Sequence, residues 1–266
     1  MIPAGGITEV SGRASERKTL TLSKGLLVLS LGLIASLALV FVIDIGLQLS
    51  LTFWKVLAHN TNYDDAWEQV AQWMDNQWLR EQLLFSLWAL LAIIWVRWEL
   101  HMSLAVLGLK KERMMAHVIN GAAWGVIVKL LILGVCCISA LVSTWVFKLR
   151  PADVQEYFKA SPYVVQSVKL MSLSSLYILV TAPVSEEILF RGVLYSAMRS
   201  RYPTLVSLII SNVVFTAAHL QLKLAPVHFI VGVAATCLFE KRKSLIAPIS
   251  FHITANAMTF LATLLT

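Results

Sequence analysis

The stretch Gly25-Leu-Leu-Val-Leu-Ser-Leu-Gly-Leu-Ile-Ala-Ser-Leu-Ala-Leu-Val-Phe-Val-Ile43 runs for 19 residues without a formal charge and continues, past Asp44, to Trp54. A helix that crosses a bilayer needs about 20 predominantly apolar residues. In lipid only helices and closed barrels satisfy every backbone polar group internally. The apolar residues here are continuous and do not alternate, so the reading is a transmembrane helix. A polar tail over 1–24 precedes it. The run is too long for the apolar core of a signal peptide, and no small-x-small site closes it, so the pattern is not that of a cleavable signal.

Six further apolar runs follow: Gln82–Val96, Val118–Phe147 (interrupted by Lys129), Leu170–Ser185, Tyr202–Leu222, Leu224–Phe239 and Ser244–Thr266. Residues 186–200 form a candidate eighth, partly embedded helix. The expected fold is therefore all-α, a polytopic transmembrane bundle of about seven to eight helices. Composition agrees. Of 266 residues 58% are hydrophobic and 14% charged, against roughly 25% charged in a typical soluble domain; the mean hydropathy is +0.74. That balance excludes a disordered chain, a nucleic-acid-binding domain and an ordinary cytosolic enzyme.

The net charge of +7 does not point to nucleic acid, because the 22 Lys and Arg stand in short clusters between apolar runs, as in multi-pass membrane proteins. Fourteen fall in the tail and in alternate loops (97–113, 191–201, 241–243), and seven in the opposite loops. This bias predicts a cytoplasmic N-terminus and sets the Glu186 end of the fourth span near the cytoplasmic side. Cys136, Cys137 and Cys237 lie in apolar runs and read as small buried hydrophobes, with no disulfide framework.

Three regions are expected: a cytoplasmic tail over 1–24, an N-terminal transmembrane region over 25–165 and a second transmembrane domain over 166–266. An outer interfacial segment over 63–82 is expected within the first region, because Trp67, Val70, Met74 and Trp78 recur at helical spacing among acidic residues. The dividing break contains Arg150-Pro151 and Ser161-Pro162.

Ionisable groups within a bilayer cost at least about 2.5 kcal/mol at a helix centre, so each needs a reason. They concentrate in the last third of the chain. In Thr181-Ala-Pro-Val-Ser-Glu-Glu-Ile-Leu-Phe-Arg191 the spacing predicts a helix opening at Pro183 behind a Thr or Ser cap. Adjacent glutamates point about 100° apart on a helix. Glu187 and Arg191, at i and i+4, can pair, which leaves Glu186 free to face elsewhere. The plainer alternative is an ordinary acidic helix start.

Phe215 and His219 stand at i and i+4 near the end of the fifth span, with Asn212 seven residues before His219 on the same face. The histidine is either an interhelical hydrogen bonder or part of a site. His252 and Asn256 repeat that spacing in the seventh span, as helix–helix glue or as two donors aimed at one point. His228 has no comparable partner pattern and reads as structural. Together, a carboxylate, two imidazoles and an amide come from three segments of one bundle. They suit hydrolysis, in which a base activates water and donors hold an oxyanion. No serine or cysteine is placed as nucleophile, so water takes that role. A zinc site of Glu, His and His is the alternative chemistry, against which the H-E-x-x-H spacing is absent.

The three segments resemble the CPBP family, the CAAX proteases and bacteriocin-processing enzymes also called Abi proteins. The family pattern is EExxxR, FxxxH and HxxxN. It is met by Glu186-Glu187-Ile-Leu-Phe-Arg191, by Phe215 to His219 and by His252 to Asn256, in order and with each spacing intact. The resemblance covers about residues 165–266. It implies a multi-pass, glutamate-dependent intramembrane endopeptidase without metal or cofactor, whose partners are the bilayer and a membrane-associated peptide or protein, in a bacterial cytoplasmic membrane. It implies Glu186 as the base that activates water, His219 as the group that positions or deprotonates that water, and His252 and Asn256 as oxyanion donors. Glu187 and Arg191 would fix the motif helix, with Phe215 and Asn212 in support. A non-catalytic immunity or scaffold protein that binds a membrane peptide is the contrasting reading.

Overall fold

The computed structural model describes residues 19–74, 77–110, 112–146, 148, 150, 176–219 and 221–264. Among them every regular element is helical and there is no strand, as the continuous apolar runs predict. The helices are α1 (Leu22–His59), α2 (Tyr63–Met74), α3 (Gln77–Ile94) and α4 (Met114–Trp145). Then come α5 over 177–199, α6 (Thr204–Ala218), α7 (Ala225–Arg242) and α8 (Ile246–Leu264).

By length and composition, α1 and α4 can cross a membrane. Both turn large apolar side chains outward, among them Ile34, Phe41, Val42 and Phe53 on α1 and Leu131, Val135 and Ile138 on α4. Apolar faces this continuous are compatible with lipid and not with water. The chain is a transmembrane protein. Their inward stripes are small by contrast: Gly25, Val28, Gly32 and Ser36 on α1, and Gly121 and Gly125 on α4.

The expected outer segment over 63–82 falls on α2 and the start of α3. The described part of α2 ends at Met74 and that of α3 opens at Gln77, with Trp67 and Val70 on the first helix and Trp78 on the second. The apolar run from Gln82 is only 15 residues to Val96, too short for the bilayer core. The helix holds 18 residues from Gln77 to Ile94, about 27 Å at 1.5 Å per residue, and a five-residue π turn over Trp95–Glu99 continues it.

A difference concerns the fourth span. It does not stop at Ser185 with a separate helix beyond it. α5 is continuous, π-helical over Tyr177–Thr181, α-helical over Ala182–Glu187, π-helical again over Ile188–Tyr195 and α-helical over Ser196–Arg199. Glu186 therefore lies well inside a helix and not at its end. Pro183 does not open the helix either, and Thr181 makes no side-chain cap. A proline in a helix interior lacks the N–H for its hydrogen bond and its ring crowds the preceding turn. The wider π turn before it, closed by Ala182 N–H to Tyr177 O, absorbs both defects.

α5 is the axis of the described bundle, with α1, α3, α6, α7 and α8 packed on it. All eight residues from Ile188 to Tyr195 are buried. Around them lie Val28, Ala89, Val96, Leu107, Phe215, Phe239 and Leu245. Helices do not associate in lipid by the hydrophobic effect, so close packing and specific polar contacts must hold them. Trp88 Nε1 donates to Leu29 O at 2.9 Å, across the notch left by Gly32. Gly108, at φ 86°, turns the segment after α3 so that its carbonyl accepts Leu245 N–H at 2.9 Å. A side chain at Gly108 would meet the Phe239 ring.

α4 lies against α8 through Gly121 and Gly125, where a Cβ would run into the backbone carbonyls of Ala247 and Phe251. Gly125→Leu is expected to force the two helices apart and lower stability by about 1–3 kcal/mol. Gly134→Leu, where nothing stands within 4 Å, is the matched control on the same helix. Thermal unfolding of the two variants in detergent checks this, with a drop in midpoint for the first and none for the second.

Candidate active site

The site is built around an ion pair that lipid makes obligatory. Glu187 and Arg191 are 0% and 1% exposed, and neither charge survives such burial without a partner. Arg191 Nη1 donates to Glu187 Oε1 at 2.9 Å, one helical turn apart. Nη2 donates to the Gly232 carbonyl at 2.9 Å and to Asn212 Oδ1 at 3.4 Å, and Nε to Thr236 Oγ1 at 3.3 Å. The guanidinium lies 4.4 Å over the Phe215 ring, a favourable cation–π placement. Thus α5, α6 and α7 meet at one side chain. Asn212 holds its own place through Leu208 O at 2.8 Å and Thr236 Oγ1 at 3.1 Å.

The same Glu187 oxygen reaches the last helix, where His252 Nδ1 lies 2.9 Å from it. A carboxylate paired with arginine only accepts hydrogen bonds, so Nδ1 carries the proton and donates. His219 is arranged in the same way: its Nδ1 lies 2.8 Å from Phe215 O, and a carbonyl likewise only accepts. Its ring meets Phe215 edge to face at 4.6 Å. In both rings Nδ1 is committed and Nε2 is presented to the bundle interior.

Both Nε2 atoms face Glu186. Its Oε2 lies 3.7 Å from Nε2 of His219 and 3.8 Å from Nε2 of His252. That oxygen is buried and makes no direct hydrogen bond among the described residues. The distances exceed a direct hydrogen bond and suit groups bridged by water. The carboxylate oxygen and the two ring nitrogens thus face a common point, where a donor such as water fits. The adjacent glutamates divide their work as their angular separation requires, Glu187 toward Arg191 and His252, Glu186 toward the two imidazoles.

Asn256 joins α8 to α5 at a different point. Its Nδ2 donates to the Ile178 carbonyl at 3.0 Å. In the π turn that carbonyl would bond the N–H five residues on, but that residue is Pro183, which has none. The asparagine satisfies an acceptor that the proline orphans, and one of its two amide hydrogens remains.

The expected residues Glu186, Glu187, Arg191, Asn212, Phe215, His219 and His252 thus lie together, with Asn256 one helical turn from His252. His228, read from the sequence as structural, stacks its ring on His219 at a centroid distance of 4.2 Å; sequence reasoning found it no partner. Sequence reasoning also passed over Gly232 and Thr236, an i, i+4 pair on α7 whose carbonyl and hydroxyl oxygens accept from the guanidinium. Among the described residues no group of three or more His, Cys, Asp or Glu is arranged to hold a metal ion.

Residues 169–258 match the family described as type II CAAX prenyl endopeptidase, Rce1-like. The matched stretch contains all three motifs and bears out the resemblance they carry. That family is a membrane-embedded peptidase family. An Escherichia coli protein described as an uncharacterized 24.3 kDa protein is 32% identical over 112 residues, which is 40% of this chain and 51% of the relative. The match therefore spans about half the length of that relative. No solved structure matches.

Arg191→Ala would leave Glu187 buried and unpaired, a loss of about 3–5 kcal/mol. Glu187→Gln keeps an acceptor for Arg191 and for His252 and is expected to be milder. Unfolding in detergent, followed by tryptophan fluorescence, checks the order. Arg191→Ala protein as stable as wild type would contradict the role given to this pair.

Proposed function

We propose that the chain is an intramembrane endopeptidase that hydrolyses a peptide bond of a membrane-associated or lipidated protein or peptide with a glutamate-activated water. The observation that carries this reading is the convergence of Glu186 Oε2 with Nε2 of His219 and of His252, at 3.7 and 3.8 Å. The family match over 169–258 supports it.

In this mechanism Glu186 accepts a proton from water as the water oxygen adds to the scissile carbonyl. His219 orients the same water through Nε2, its ring held by Phe215 O and steadied by His228. The carbonyl oxygen becomes an oxyanion, which His252, protonated at both nitrogens, and the remaining N–H of Asn256 stabilise. Collapse of the intermediate breaks the C–N bond, and the proton on Glu186 passes to the leaving amine. Glu187 accepts from Nδ1 of His252 and so fixes the direction in which Nε2 points. Burial excludes competing water and strengthens each of these interactions.

The proposed orientation has the N-terminus in the cytoplasm, on the 14 to 7 bias of basic residues. A bacterial cytoplasmic membrane is the proposed location, supported by the bacterial relative. The last third of the chain carries the catalytic groups, and the earlier helices complete the bundle around α5.

Glu186→Gln is expected to abolish cleavage of membrane-anchored peptides, read by mass spectrometry, and to leave stability near wild type, because Glu186 Oε2 makes no direct hydrogen bond among the described residues. His219→Ala and His252→Ala should each lose most activity, and Asn256→Ala about 100-fold by the usual cost of one oxyanion donor. A chelator should not change the rate; loss that zinc restores would favour the metal alternative. Full turnover by Glu186→Gln would overturn the mechanism. Tight peptide capture by both proteins, with cleavage by neither, would favour an immunity or scaffold role.

A further inference from the structure

Away from these residues, α4 and α7 leave a groove of about 200 Å³ between them. Asn120, Trp124 and Val128 line it from α4, each one turn beyond the last. From α7 come Ala234, Cys237, Leu238, Lys241 and Arg242. α4 begins at Met114 and α7 ends at Arg242, so Asn120, Lys241 and Arg242 share the end of the groove that carries the basic loops. Val128 and Ala234 lie at the opposite end. From Asn120 to Val128 the groove runs about 12 Å along the helix axis, polar and cationic at one end and apolar along the rest.

The cationic end is organised. Arg242 Nε donates to Asn120 Oδ1 at 3.2 Å, which fixes the guanidinium at the groove mouth and uses one of its five donors. The neighbouring Lys243 is bound to Glu240 at 2.7 Å. Lys241 and Arg242, among the described residues, are paired with no carboxylate. The apolar wall is made of Trp124, Val128, Ala234 and Leu238, with the exposed thiol of Cys237 beside it.

We propose that this groove binds an anionic phospholipid, with the headgroup charge on Lys241 and Arg242 and one acyl chain along Trp124, Val128, Ala234 and Leu238. Charge complementarity and position select this occupant. A cationic mouth between membrane helices, at the end where the basic loops cluster, meets anionic headgroups at their own depth. A neutral lipid would leave the two cations unused, and a free phosphate would leave the apolar wall uncovered.

Cys237 supplies the readout. A Cys136→Ala/Cys137→Ala protein carries Cys237 as its sole thiol, since the chain has three cysteines. Its alkylation by a maleimide is followed by mass spectrometry in detergent with phosphatidylglycerol, with phosphatidylcholine of the same chains, or with inorganic phosphate. At ten times the dissociation constant, phosphatidylglycerol is expected to slow alkylation about tenfold, in proportion to occupancy, and the other two to change it little. In K241Q/R242Q, both exposed-end substitutions, protection should be lost while the unprotected rate stays the same. Native mass spectrometry provides a second measure, with retention of one phosphatidylglycerol per chain by wild type and not by K241Q/R242Q. Equal protection by phosphatidylcholine, protection by phosphate alone, or protection that survives K241Q/R242Q would each overturn the proposal.

Discussion

A buried ion pair governs this structure. In lipid neither Glu187 nor Arg191 can be left alone, and a helix places the two one turn apart, so they neutralise each other within α5. The pair then recruits what surrounds it. The guanidinium has more donors than one carboxylate can use, and α6 and α7 supply the remaining acceptors through Asn212, Gly232 and Thr236. The carboxylate still has capacity, and His252 of α8 takes it. Three helices are thereby oriented around α5 by one interaction. The orientation of Glu186 follows from it, because a residue next to Glu187 must point about 100° away, here toward the two imidazoles.

A second constraint comes from Pro183. A proline three residues before the glutamates breaks the hydrogen-bond ladder, and the helix answers with a π turn and a borrowed donor from Asn256. The chain thus places a backbone defect one turn from the groups proposed to react, and ties that defect to the helix that carries His252. Asn256 has a structural task in addition to its proposed one. A substitution there acts on the geometry of α5 as well as on any oxyanion, and stability measured beside activity separates the two effects.

Much of this was legible in the sequence, for physical reasons. Lipid requires long continuous apolar runs, so the all-helical fold was readable from residues such as Gly25 to Ile43. Ionisable residues in such runs are expensive, so Glu186, Glu187, Arg191, His219 and His252 stood out without any structure, and i, i+4 spacing paired Glu187 with Arg191. What was not legible depends on packing between distant segments. That the Gly232 carbonyl and the Thr236 hydroxyl receive the guanidinium, or that His228 meets His219, needs the placement of α7 against α6 and α5. The continuity of α5 was hidden because Pro183 behind Thr181 looks like a helix start; only the π turn shows that the proline is accommodated within the helix.

The proposed mechanism makes water the nucleophile and Glu186 a base that never bonds to the substrate. Single-turnover cleavage of a membrane-anchored peptide in water enriched in oxygen-18, followed by mass spectrometry of product and protein, separates this from its closest chemical rival. The account predicts one labelled oxygen in the new carboxylate of the product and none in the peptide that contains Glu186. Label in the Glu186 carboxylate would mean that this residue had attacked the substrate itself, and would contradict the account.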